Sequence, residues 1–249
     1  LGIDDITGDV KIREDIEFGS ETKLTNLTGI NDVYVYDTTK DSDGGEWTCN
    51  DIAQGTSWYN EPLNTSKRGK TKCFPRKAII LSTSSSTGSV DIYDSKDNSL
   101  WMRFDLENFG SSLQTMILSL DGGTLSSVFF LNGKLYATDT TYGLSVVDFK
   151  ADRTIHYSDA TTDWHEGFWP GNIAQRNEGH LFYGDAPGLI VNQSVNDVSA
   201  AVINGKTYVA VATEGGVSII NEDDETVTNS AAASGYFPRD IHLTSDDSV

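Results

Sequence analysis

The tripeptide Asn132-Gly133-Lys134 recurs as Asn204-Gly205-Lys206, and the text around it recurs too. Leu135-Tyr136-Ala137-Thr138 is answered by Thr207-Tyr208-Val209-Ala210, and Gly143-Leu144-Ser145-Val146-Val147-Asp148 by Gly216-Val217-Ser218-Ile219-Ile220-Asn221. Asn-Gly is a strong two-residue hairpin signal because both positions tolerate positive φ. In the first copy, Val128–Leu131, Leu135–Thr138, Leu144–Phe149 and Thr154–Tyr157 read as four short strands joined by tight turns. A repeated four-stranded meander is the sequence sign of a propeller blade. One such sheet cannot bury both faces alone, so blades require neighbours.

Looser echoes stand earlier. Gly88-Ser89-Val90-Asp91-Ile92-Tyr93-Asp94 follows the apolar run Ala78–Leu81. Asn31-Asp32-Val33-Tyr34-Val35-Tyr36-Asp37 precedes it, and each stretch reads as the third strand of a blade. Residues 77–106 divide into strands at Lys77–Thr83, Ser89–Asp94 and Leu100–Leu106. Tyr236–Leu243 has the pattern of the opening strand of another blade. The expected fold is all-β: β-propeller-like repeats of four-stranded antiparallel blades, a partial or complete ring, with long loop insertions. Any β-sandwich also contains such hairpins; the doubled register is what favours blades.

The expected organisation is an N-terminal arm or strand at 1–32 and a propeller-like domain at 33–249. Insertions interrupt it at 47–77 and 159–196, and the whole reads as part of a longer chain. If the ring closes on itself, the arm can supply the missing strand of the last blade.

A net charge of −19 argues against nucleic acid, whose phosphates need a basic footprint. It disfavours anionic membranes for the same reason, and no apolar run approaches a membrane-spanning length. Against that background, Lys67, Arg68, Lys70, Lys72, Arg76 and Lys77 form a basic island. With Trp58 and Tyr59 beside it, the island suggests docking against an acidic surface, another copy of this chain among them. A solvated loop is the alternative.

Three further clusters are candidates. Asp37, Asp41, Asp43 and Glu46 surround Gly44-Gly45. Oxygen ligands on a glycine turn are what Ca²⁺ requires, so Ca²⁺ is the candidate ion and a solvated acidic turn the alternative. No other cofactor is expected. Cys49 and Cys73 stand at the two ends of the first insertion. A bridge there would close a loop and add about 3 kcal/mol; two free thiols are the alternative. Trp164, His165, Glu166 and Trp169 form the most aromatic stretch and are the candidate ligand-binding group, as a sugar platform. Rings that wedge an inter-blade loop shut would give the same pattern.

No nucleophile elbow, phosphate-binding loop or dinucleotide fingerprint is present, and the four histidines lack ligand spacing. The reading is therefore non-enzymatic.

The run Asp37–Trp47, then Thr56-Ser57-Trp58-Tyr59-Asn60-Glu61, Leu63-Asn64-Thr65, Arg68-Gly69 and Phe74-Pro75, resembles a block of large virion proteins of marine tailed phages. Asn192-Gln193-Ser194-Val195-Asn196-Asp197-Val198 and the blades with their Asn-Gly-Lys turns are similar too, so the resemblance covers most of residues 31–249. It carries no catalytic motif, and the two cysteines depart from the block. The resemblance implies a structural or adhesive part of a phage tail or tail fibre, located in the virion as an extracellular particle. Implied partners are other virion proteins, further copies of the chain and a host surface glycan. The alternative is an extracellular carbohydrate-binding or carbohydrate-active lyase or hydrolase of propeller type.

Overall fold

The computed structural model describes residues 29–83, 88–106, 113–119, 124–159, 167–233 and 235–245, and the backbone of four strands before them. Those four are β1 (Gly2–Ile3), β2 (Val10–Lys11), β3 (Asp15–Phe18) and β4 (Thr22–Thr25). They form two antiparallel pairs, β1 with β2 and β3 with β4.

Three larger antiparallel meanders follow. The first comprises β5 (Ile30–Asp37), β6 (Lys77–Thr83), β7 (Ser89–Asp94) and β8 (Ser99–Asp105). The second comprises β9 (Leu125–Leu131), β10 (Lys134–Asp139), β11 (Gly143–Asp148), β12 (Arg153–Tyr157) and a short fifth strand, β13 (Gly167–Phe168). The third comprises β14 (Val195–Ile203), β15 (Lys206–Thr213), β16 (Gly216–Asn221) and β17 (Thr226–Ala231). The protein is all-β. Among the described residues the sheets close into neither a barrel nor a ring.

Local chemistry explains the two matched sheets. Asn132 and Gly133 have φ of 53° and 83°, and Asn204 and Gly205 have 51° and 75°. Positive φ at both central residues matches the turn to the right-handed twist of its strands. The glycine opening the third strand also recurs for a steric reason. A Cβ at Gly143 would stand 2.1 Å from Tyr157 O, and one at Gly216 would stand 2.1 Å from Ser230 O. Only glycine lets the fourth strand approach that closely.

One early expectation is corrected. Asn31–Asp37 lies in the first strand of its sheet, not the third, and reaches β6 only after residues 38–76. The first sheet begins at Ile30, so Ile30–Asp32 belongs to it rather than to an arm. Asp121-Gly122-Gly123, whose glycines predict a turn, lies outside the described residues.

The sheets stack face to face because side chains alternate along each strand. Tyr36, Ala78, Ile80 and Ile92 of the first sheet meet Val128, Phe130, Leu135 and Val147 of the second. The opposite face of the second sheet, with Tyr136, Leu144 and Val146, meets Val198, Val209, Val211 and Ile220 of the third. The Val, Leu, Ile and Phe side chains among these contribute about 1.5–3 kcal/mol each.

At one edge of the stack β9 lies between β5 and β14. A polar clasp repeats there. Asn31 Nδ2 donates to Leu125 O (2.8 Å), Ser126 Oγ to Val195 O (2.7 Å) and Asn196 Nδ2 to Pro238 O (2.9 Å). The next residue accepts from the neighbouring segment: Asp32 Oδ2 from Val128 N, and Asp197 Oδ2 from Ile241 N, each at 2.8 Å.

Candidate functional site

The feature that most distinguishes this chain from a plain stack of sheets is the pair of insertions at 38–76 and 169–194. The first contains two single-turn helices, α1 (Asp51–Gln54) and α2 (Ser57–Asn60). Asn50 caps α1 by accepting from Ile52 N and Ala53 N. Turns this short gain little on their own, so tertiary contacts must hold them.

Those contacts are aromatic. Trp47, Trp58, Phe74 and Trp101 are fully buried or nearly so, against Phe130 and Phe149 of the second sheet. Trp58 meets Trp101 edge to face at 5.7 Å, and Phe74 lies 4.7 Å from Trp101. Two of the three indole nitrogens are satisfied, while Trp101 Nε1 is buried without a hydrogen-bond partner among the described residues. Trp58 Nε1 donates to Phe149 O (2.7 Å), and Trp47 Nε1 donates to Asp41 Oδ2 (2.8 Å). Cys49 and Cys73 form a disulfide, with Cα atoms 5.0 Å apart, which ties the two ends of the plug.

The acidic turn does not assemble a metal site. Asp41 is buried, accepting from the Tyr36 hydroxyl, from Trp47 and from Asn132 N (2.9 Å). Burial raises its pKa, and these bonds pull it back. Asp37 caps a 3-10 turn through Thr39, and Asp43 accepts from Gly45 N. Glu46 sits in the first turn of the next 3-10 segment. Among the described residues no group of three or more Asp, Glu, His or Cys is placed to hold a metal. Asp37, Asp41 and Asp43 accept from separate partners instead of converging.

Of the basic island, Lys70, Lys72, Arg76 and Lys77 are exposed and Lys67 is half-buried. Arg68 is fully buried, with its guanidinium 4.4 Å from the centre of the Trp101 ring and bonds to Trp101 O and Lys72 O. Burial pulls its pKa down to about 10. Lys67 pairs with Asp105, and Lys70 with Asp97. Lys72 lies over the half-buried Tyr59 ring at 5.2 Å. Trp58, read as an interface residue, is fully buried. A large ring gains from burial, whereas the guanidinium incurs a desolvation cost that its carbonyl partners, the Trp101 ring face and Glu61 offset.

The second insertion docks on the first. Arg176 is buried and pairs with Glu61 at 2.7 Å, while donating to the carbonyls of Arg103, Ile173 and Lys67. Glu61 thus faces Arg176 and Arg68, the latter at 3.8 Å. Asp152, in the turn between β11 and β12 with φ of 55°, accepts from both insertions. It receives Ser57 N (2.7 Å), Ser57 Oγ (2.9 Å) and Ile173 N (3.0 Å).

Of the aromatic ligand group, Trp164, His165 and Glu166 lie outside the described residues. Trp169 is buried, donates Nε1 to Gln114 O and meets His180 edge to face at 4.8 Å. Its ring faces are packed, so it offers no open platform for a sugar.

One pair resembling catalytic machinery was not singled out in the sequence. Ser145 Oγ and His156 Nδ1 are 3.0 Å apart. Both residues are buried, Ser145 Oγ accepts from Leu118 N, and His156 Nε2 lies 2.5 Å from Tyr142 O. The hydroxyl faces protein on every described side, so the pair stabilises β11 against β12.

Between the second and third sheets, Glu222 accepts from Lys134 Nζ (3.0 Å) and Tyr136 hydroxyl (3.1 Å). Burial holds its carboxyl above the usual range, with Lys134 opposing. No described helix is long and apolar enough to cross a membrane.

No family model matches the chain, and no curated protein matches it. Among solved structures, the extracellular domain of a protein named as a hybrid two-component system from B. thetaiotaomicron is 16% identical. The match covers 63% of this chain and 23% of that one, with a TM-score of 0.25, and carries no argument about function.

Proposed function

We propose that the chain is a non-enzymatic structural module of a phage virion tail or tail fibre, acting in assembly and host-surface attachment. In this reading the three sheets are blades, and β5, β9 and β14 line the axis around which they are set. The repeated clasp between first strands supports that arrangement, since equivalent residues make equivalent bonds at successive seams.

One observation carries the proposal. The groups best suited to chemistry in and beside the long insertions, Glu61, Arg68, Arg176, Asp41 and Asp152, are tied into internal bonds. The product is a stiff, cross-linked body rather than an open reaction site. A disulfide at the plug suits an oxidising, extracellular setting. The virion assignment rests on the block at 37–75. The carbohydrate alternative gains nothing from Trp169, whose ring is packed.

Antibodies raised against the chain test the assignment by immunogold labelling of purified tailed-phage particles. Label on the tail is expected; label confined to the host envelope would overturn it. Release of sugar from algal or bacterial polysaccharides incubated with the protein would overturn the non-enzymatic part.

A further inference from the structure

Asn132-Gly133 and Asn204-Gly205 are the two Asn-Gly pairs of the sequence, and both form the same positive-φ turn. Such a pair carries a reactive combination. Glycine has no side chain to hinder its amide nitrogen, which can attack the side-chain carbonyl of the asparagine before it. The two turns match in sequence and backbone, so a difference in reactivity must come from their surroundings.

Those surroundings differ. Asn132 Oδ1 accepts from Ser42 N (2.8 Å), and Asn132 Nδ2 donates to Ser42 Oγ (3.1 Å). Its own amide donates to Asp41 Oδ1 (2.9 Å), and Gly133 N donates to the Tyr36 hydroxyl (3.4 Å). Gly133 is buried, and a Cβ there would stand 3.2 Å from the Trp47 ring. The attacking nitrogen and the group it would attack are both fixed. Asn204 and Gly205, by contrast, are both exposed, and a Cβ on Gly205 would meet nothing within 4 Å.

The contrast originates between described strands. The cover on Asn132 comes from the preceding sheet, whose residues 38–76 join β5 to β6. The corresponding join in the second sheet, from β9 to β10, is Asn132-Gly133 itself. It has no insertion to lay over Asn204.

We infer that Asn204 is a site of spontaneous covalent modification, deamidation through a cyclic imide, and that the 38–76 insertion shields Asn132 from the same reaction. A base from solvent takes the Gly205 amide proton. Gly205 N bonds to Asn204 Cγ, the Cγ–Nδ2 bond breaks, and the departing NH2 regains a proton and leaves as ammonia. Water then opens the imide at either carbonyl, giving aspartate or isoaspartate; nothing is oxidised or reduced. Ring closure requires the turn to leave its paired conformation, so the rate follows local opening. In isoaspartate the main chain runs through the side-chain carbon and is longer by that atom. A two-residue turn has no slack for it, so the Ile203–Lys206 pair that closes β14 on β15 should open. The inference is independent of the assembly role proposed above.

The whole chain tests it, incubated at mildly alkaline pH both folded and in guanidinium chloride, then digested and mapped by mass spectrometry. The mass gain of replacing NH2 by OH reads each turn, and isoaspartyl methyltransferase labels the isoaspartate. In the folded chain Asn204 should convert at least about tenfold faster than Asn132, whose bonds to Ser42, Asp41 and Tyr36 hold that turn shut. In denaturant the two rates should come together, since both turns read apolar residue-Asn-Gly-Lys. Gly205→Ala should slow conversion at Asn204 in denaturant, a readout that stands whether or not the variant folds. Equal rates in the folded chain, faster conversion at Asn132, or no conversion at Asn204 while the unfolded chain reacts would each overturn the inference. So would a difference that survives in denaturant, or a Gly205→Ala rate no slower than the parent's.

Discussion

Ser57 and Asp152, 95 residues apart, are joined twice: the Ser57 amide donates to one carboxylate oxygen at 2.7 Å and its hydroxyl to the other at 2.9 Å. Ile173 N adds a third bond at 3.0 Å, and Ala174 N donates to Ser57 Oγ at 3.2 Å. A turn of the second sheet thereby holds both insertions.

Asp152→Asn tests that role cleanly, because asparagine tolerates the positive φ while losing the charge. The substitution should cost about 1–3 kcal/mol, the range for charge-assisted hydrogen bonds. Urea unfolding measures the cost, and proteolysis should cut the 38–76 insertion sooner than in the parent.

Glu61 neutralises two buried guanidinium groups, on Arg68 and Arg176. Glu61→Ala leaves both without their carboxylate, at an expected cost of about 3–5 kcal/mol. The paired change with Arg176→Met should recover part of that loss, which a double-mutant cycle reads directly.

Replacing Cys49 and Cys73 together by serine opens the loop between them. The unfolded chain regains freedom worth about 3 kcal/mol, so the melting temperature should fall. Reducing the parent protein should lower its melting temperature by a similar amount and leave the double variant unchanged.

Burial raises the pKa of Asp41, Asp139, Asp197 and Glu222. A carboxyl with a folded pKa above its unfolded value makes the folded state the better proton binder. Its contribution is full below the ordinary carboxylate range and is lost as pH rises through the raised value. Stability should therefore decline as pH rises above about 4.5, by up to about 1.4 kcal/mol per pH unit for each group still titrating. Glu222→Gln should flatten part of that slope. Asp37, Asp97 and Asp224, whose pKa values are lowered by hydrogen bonds, act in the opposite sense at the acid end. Unfolding curves collected across pH compare the two proteins.

The second and third sheets were readable in advance because their instructions are local. Asn132-Gly133 and Asn204-Gly205 demand positive φ, and Gly143 and Gly216 mark where the fourth strand comes close. The first sheet was harder because residues 38–76 replace its first hairpin turn. Without that turn as a landmark, Asn31–Asp37 was assigned the wrong rank among its strands. A better signal was present: Asn31-Asp32-Val33 recurs as Asn196-Asp197-Val198, and each opens a sheet. The candidate site was less legible still. The charges of Lys67, Arg68, Lys70 and Lys72 are plain in the sequence, but their partners include Asp97, Trp101 and Asp105, well downstream.

Strand alternation and turn residues by themselves determined that this chain would fold as repeated antiparallel meanders, since both act within a few residues. Only the tertiary structure decided which tryptophans are core, which cations are neutralised and where Asp41 and Asp152 point. Those outcomes depend on groups well along the chain, 27 residues away for Lys70 and Asp97, 91 for Asp41 and Asn132, and 95 for Asp152 and Ser57. A side chain's charge is written in its type, whereas its solvent and its partner exist only once the sheets have stacked.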